Sequence, residues 1–78
     1  MNYIYFTPLK LWAIVEQDDF FEQEKKIYSI YKFYPKQGLT PFKFIGSDLK
    51  TAFRWLYSSH IISKDEYEIQ FSLLTGGN

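Results

Sequence analysis

The chain has 78 residues, nine basic and nine acidic side chains, a formal net charge of zero and no cysteine. That length fits one domain with a thin core, and the missing cysteines exclude disulfides, a thiolate nucleophile and Cys-ligated zinc. Aromatic residues make up 22% of the chain, and because each ring buries a large area they either offset the small size or supply surface for a partner or a second copy.

Met1-Asn2-Tyr3 is not a basic region followed by a long apolar run, so no secretory signal is expected and the cytoplasm is the default compartment. No apolar stretch reaches bilayer length, so no membrane is expected among the partners. Asn2 to Phe6 is dense in aromatic and β-branched residues and predicts a strand. Thr7-Pro8 interrupts it, since proline cannot donate to a sheet ladder. Leu9 to Glu16 predicts a second strand, although Thr7-Pro8 also suits a helix start. An acidic connection follows, Asp18-Asp19-Phe20-Phe21-Glu22-Gln23-Glu24. Two readings of Phe20 and Phe21 stay open: the rings fold back onto the core, or they tip an acidic loop presented to a basic partner.

Lys25 to Tyr34 predicts a third strand, with apolar residues on both faces. Either both faces are covered or one carries exposed tyrosines. Pro35-Lys36-Gln37-Gly38 is a turn. Thr40-Pro41-Phe42-Lys43-Phe44 echoes Thr7-Pro8-Leu9-Lys10-Leu11, which suggests two similar strand starts with large apolar residues inward and lysine outward.

Gly46-Ser47-Asp48 breaks the pattern and supplies N-cap residues. Leu49, Ala52, Phe53 and Leu56 then recur at i, i+3, i+4 and i+7, which predicts a helix from about Asp48 to Ser59. Lys50 and Arg54 lie off this stripe. Trp55 lies on its edge, either as a partly buried core residue or as a binding anchor. Ser63 and Glu66 have capping-box spacing, Ile62 and Tyr67 that of a hydrophobic staple, and Asp65 and Glu66 suit the helix dipole. Tyr67, Phe71 and Leu74 continue as a helical stripe, and Thr75-Gly76-Gly77 supplies a stop. The same segment also alternates, Tyr67, Ile69, Phe71 and Leu73 against Glu68, Gln70 and Ser72, which is the period of a strand. Helix is preferred because the cap signals are independent of the periodicity. The sum is an α+β fold, a small antiparallel sheet of three to four strands followed by two short helices packed on one face.

Leu49, Leu56, Ile61-Ile62-Ser63, Asp65-Glu66-Tyr67-Glu68 and Leu73-Leu74 together resemble the pattern of the SHOCT (short C-terminal domain) family over the last third of the chain. His60 stands where that family usually has glycine. The resemblance implies a small helical interaction module and carries over no activity and no cofactor.

The remaining residues point to binding rather than chemistry. His60 is the only histidine. Without clustered ligands it makes no metal site, and beside Ser59 or Ser63 it lacks the rest of a nucleophile constellation. Asp18-Asp19 and Asp65-Glu66 read as a solvated loop and a helix cap. No catalytic, cofactor-binding or metal-binding residue is assigned, and no enzymatic activity is expected. Charge is nevertheless segregated. Glu16 to Glu24 carries five acidic and no basic residues, whereas Lys25 to Lys64 carries eight basic residues against Asp48 alone. Another protein is therefore the expected partner, the chain acting as an inhibitor or adaptor. Phe20, Phe21 and Trp55 are its candidate anchors, and Lys25, Lys26, Lys32, Lys36, Lys50 and Arg54 its steering charges. The alternative is single-stranded nucleic acid, with Lys25, Lys26, Lys32, Lys36 and Lys43 tracking phosphates while the interleaved Tyr28, Tyr31, Phe33, Tyr34 and Phe44 stack on bases. A homodimer is a further expectation. The preference for Lys, Ile, Phe and Tyr over Arg and Ala follows A/T-rich codons and points to a low-GC bacterium, its phages or its plasmids.

Overall fold

The computed structural model describes residues 1–22 and 24–76. Gln23 of the acidic connection and Gly77 of the expected stop lie outside them. Four strands, β1 (Asn2–Phe6), β2 (Trp12–Asp18), β3 (Lys26–Tyr34) and β4 (Gly38–Gly46), form one antiparallel sheet in the order β1-β2-β3-β4. Two helices follow, α1 (Leu49–Ser58) and α2 (Lys64–Leu74). The expected α+β fold is the one observed.

β2 begins later than the sequence suggests. Thr7 to Lys10 forms a turn closed by the Lys10 N–H donating to the Thr7 carbonyl at 2.7 Å, with Pro8 at the position a β-turn favours. Lys10 takes a left-handed φ of 59°. The Trp12 N–H donates to the buried Thr7 hydroxyl oxygen at 3.2 Å, and pairing starts only there. Thr7-Pro8 thus opens neither a strand nor a helix. Its echo at Thr40-Pro41 lies inside β4, an edge strand, where the missing N–H costs no ladder bond to a further strand.

Two register slips in β4 set which side chains reach the core. Ile45 and Phe42 are extra residues against the β3 partners Tyr28–Ser29 and Ile30–Tyr31. A bulge re-aims the strand locally. Ile45 packs on the core, and the Phe42 ring lies 4.9 Å from Trp12 and 5.9 Å from Trp55. Phe44, expected inward, is instead 65% exposed on the opposite face.

The core lies between one face of the sheet and α1. Ile14 and Ile30 are paired across β2 and β3 and fully buried. Ala52, Phe53 and Leu56, the expected α1 stripe, cover them together with Ile62. Burying Phe53 and Leu56 contributes about 1.5–3 kcal/mol each. Asp48 caps α1 by accepting from the Lys50 N–H at 3.0 Å and the Thr51 hydroxyl at 3.2 Å.

The helix corner is a Schellman turn. The His60 N–H donates to the Tyr57 carbonyl at 3.0 Å, and the Ile61 N–H to the Leu56 carbonyl at 2.9 Å. His60 sits at the left-handed position with φ 60°, the conformation glycine adopts most cheaply. Ser63 then caps α2, its Oγ accepting from the Glu66 N–H at 3.1 Å. The other half of the expected capping box is diverted. Glu66 Oε2 accepts from the Tyr5 hydroxyl at 2.6 Å and from Gln70 Nε2 at 3.2 Å. Tyr5 also sets its ring edge-on to Phe53 at 4.9 Å, so this one residue of β1 joins both helices. Tyr67, Phe71 and Leu74 are half-buried as a helical stripe requires, while Ile69 and Leu73 are exposed.

Ser63→Ala is expected to lower stability by about 1 kcal/mol. His60→Gly is expected to raise it by up to about 1 kcal/mol, because the left-handed penalty of about 1–2 kcal/mol exceeds the added unfolded-state entropy of about 0.5–1 kcal/mol. Urea unfolding of both variants tests the corner, and a loss of stability in His60→Gly contradicts it.

Alkaline pH probes the tyrosines. Burial, then the hydrogen bond to Glu66 and its charge, push the Tyr5 phenol well above its usual range. Burial, then the hydrogen bond to Glu16, raise Tyr28. Below about pH 10, the usual tyrosine value, their contribution is complete. Above it the unfolded chain gives up phenolic protons that the folded chain retains, so stability falls as pH rises toward the raised folded values. Tyr5→Phe is expected to cost about 1–3 kcal/mol at neutral pH and to flatten this alkaline decline. Urea midpoints between pH 7 and pH 11 measure both effects.

Candidate protein-binding surfaces

The β2–β3 connection is a built loop. The Asp19 N–H donates to the Lys25 carbonyl and the Lys25 N–H to the Glu22 carbonyl, both at 2.9 Å. The Asp19 carboxylate accepts from the Phe21 N–H at 2.9 Å, an Asx turn that fixes the tip. Lys26 pairs with Asp18 across the strands, and Lys25 with Glu22 at 3.3 Å. The hydrogen bond and charge of Lys26 hold the Asp18 carboxyl below the usual carboxylate range, and Asp18 in turn raises the Lys26 ammonium. Such exposed pairs contribute little stability, but they fold the two lysines against the loop's own carboxylates.

Phe20 and Phe21 stand on this loop at 89% and 88% exposure, their rings edge-on at 5.3 Å. The reading in which they fold back onto the core is therefore wrong. A phenylalanine in water forgoes the burial its side chain normally gains, and here two adjacent ones do so with Asp19 and Glu22 on either side.

The other candidate residues do not converge on this tip. Lys32 is half-buried on the helix side, its Nζ 5.0 Å from the Trp12 ring centre, 5.4 Å from Tyr34 and 5.9 Å from Phe42. Trp55 is half-buried in the same cluster, 6.0 Å from Trp12. Lys50 Nζ and the Arg54 guanidinium both lie 5.4 Å from the Phe71 ring, between α1 and α2. Lys36 is exposed in the β3–β4 turn, at the end of the sheet opposite Phe20. Tyr31 lies on the sheet face away from the helices, edge-on to Tyr3 at 5.8 Å. Tyr31 and Phe33 thus fall on the face opposite Lys26 and Lys32, whereas Tyr28 and Tyr34 share the lysines' face.

That second face is the surface the sequence indicated only as a choice, covered or tyrosine-bearing. Register assigns to it Tyr3 and Phe6 of β1, Ala13, Val15 and Gln17 of β2, Ile27, Ser29, Tyr31 and Phe33 of β3, and Leu39, Pro41 and Phe44 of β4. Neither helix covers it. Ala13 and Val15 are buried at its centre though outside the core cluster, while Tyr3, Phe6 and Phe33 remain about 40% exposed. The apolar residues of β3 on both faces were its one sequence signal.

A cleft of about 400 Å³ lies where the β1–β2 turn meets the helix corner, lined by Pro8, Leu9, Leu11, His60 and Ile61 among others. The Thr7 and Ser63 hydroxyls on its wall are committed to the Trp12 carbonyl and the Glu66 N–H. Among the described residues, no group of three His, Asp or Glu side chains is placed to hold a metal ion, and no helix is long and apolar enough to cross a membrane. Comparison with protein-family models, with curated proteins and with solved structures finds no match to this chain.

Proposed function

We propose that this chain is a non-enzymatic protein-binding module, an inhibitor or adaptor acting on a larger protein, with the Phe20–Phe21 tip as its anchor. The observation that carries the reading is the tip itself: two nearly fully exposed phenylalanines on a hydrogen-bonded loop between acidic residues. Anchors of binding interfaces are typically large apolar side chains that fill a pocket on the partner. A partner with an apolar pocket and a basic rim fits it, the charge steering encounter and the rings supplying most of the affinity. The SHOCT likeness of the helix corner points to the same class, an interaction module without chemistry.

Single-stranded nucleic acid fits less well. Lys25 and Lys26 are engaged by Glu22 and Asp18, Lys32 lies over rings on the helix side, and Tyr31 faces the other way. No continuous track of cations beside stacking rings results, and such a track is what that mode of binding requires.

A tagged chain and its Phe20→Ser/Phe21→Ser variant, expressed in the native cell, test the proposal by quantitative capture. The variant is expected to unfold within about 0.5 kcal/mol of the parent, since it changes only exposed side chains. It is also expected to lose at least about 2 kcal/mol of binding to the captured protein, roughly thirtyfold in affinity. Undiminished capture by the variant overturns the proposal. So does salt-sensitive binding of the parent to a plain oligonucleotide near physiological salt that is lost when Lys25, Lys26 and Lys32 are neutralised together.

A further inference from the structure

We propose that the bare face of the sheet docks against the same face of a second copy of this chain, giving a dimer with two sheets inside and the helix pairs outside. This inference is independent of the Phe20–Phe21 reading.

An antiparallel sheet with one face in water normally places polar and charged side chains there. Here Tyr3, Phe6, Tyr31, Phe33 and Phe44 occupy it, and none of the positions that register assigns to it is charged. The absent charge selects the occupant. A phosphate-bearing ligand finds no cationic side chain at these positions, and a partner steered by charge finds little handle. A second copy meets no like charge anywhere on the patch, so the same uncharged, apolar surface is complementary to itself, as an isologous interface requires.

The dimensions agree. The chain exposes 5509 Å², whereas a folded monomer of 9.4 kDa is expected to expose about 5,000 Å². The Cα envelope is 38 × 35 × 17 Å, one helix layer on one sheet, thin in the direction of the bare face. Four strands about 4.8 Å apart, with some five to nine residues of about 3.3 Å each, present on the order of 450 Å² in projection. Two such faces together bury on the order of 1,000 Å², more when the relief of the rings is counted. That is the lower limit for a specific interface, the range of weak and transient association, and a dimer in the micromolar range is expected. Twisted sheets pack in this way with strands about 30° apart and the rings interdigitated.

Sedimentation of the whole chain from about 1 μM to 1 mM tests the assignment. The weight-average mass is expected to rise from 9.4 kDa to about twice that over this range, with a midpoint in the micromolar decades. Phe44→Lys puts a charge into the apolar interface and is expected to weaken the dimer at least thirtyfold, while Phe44→Tyr and Phe20→Ser/Phe21→Ser leave it intact. Should Phe44→Lys fail to fold, concentration-dependent NMR shifts of the parent serve instead: Tyr31 and Phe33 move on dilution, and Trp55 does not. A constant 9.4 kDa species overturns the proposal, as does a Phe44→Lys variant that folds and dimerises like the parent. A dimer dispersed by the Phe20/Phe21 changes, or binding of the monomer to neutral lipid vesicles through Phe44, overturns it too.

Discussion

The packing of α1 on the paired isoleucines of β2 and β3 is the contact on which the rest of the molecule depends. Ile14 and Ile30 lie side by side, fully buried beneath Ala52, Phe53 and Leu56. All other apolar contacts on that side are peripheral to this group: the Trp12–Phe42–Trp55 rings on one flank, Tyr5 on Phe53, and Ile62 at the corner. Because a chain of this size has only enough apolar helix for one layer, the single core fixes the rest by exclusion. The second face of the sheet and the β2–β3 tip keep their rings in water, and these are the surfaces where binding is proposed.

Side-chain parity separates the candidate residues more than distance does. Lys32 and Tyr31 are neighbours in sequence, yet one stacks over tryptophan beneath the helices and the other lies on the bare face. Lys25 and Lys26 are held by the carboxylates of their own hairpin, which leaves the tip acidic and aromatic rather than basic. At this hairpin the boundary between the acidic and basic blocks has become local pairing in space, and the exposed phenylalanines are what that pairing leaves over.

The parts of the fold that were legible in the sequence are those with redundant local signals. The two helices were, because Asp48 and Ser63 cap them and Leu49, Ala52, Phe53 and Leu56 share one face. The α2 segment shows why redundancy matters: its alternation suits a strand, and the cap outweighs it. The start of β2 was not legible, since Leu9 and Leu11 look like strand residues while Thr7 and Lys10 close a turn beneath them. Nor were the slips at Phe42 and Ile45, which reverse the parity of an edge strand without any local marker. They explain why Phe42 leans on Trp12 and Trp55 on the helix side, still 47% exposed, while Phe44 lies on the other face. Phe20 and Phe21 were recognised as unusual, but their direction depended on an Asx turn that composition alone does not specify.

The hydrogen bond from Tyr5 to Glu66 spans 61 positions of sequence. The strands and the helix corner are joined through neighbours in the chain, three successive hairpins and one turn, and α1 is brought back over the sheet. Closing so long a loop is entropically expensive until the intervening elements have shortened it. The expected order is therefore the meander and α1 first, with the fastening of β1 to α2 last. A contact formed so late acts on the unfolding rate and hardly on the folding rate. In a chevron plot its loss appears in the unfolding arm, so Tyr5 serves less to guide the chain to its fold than to delay its escape from it.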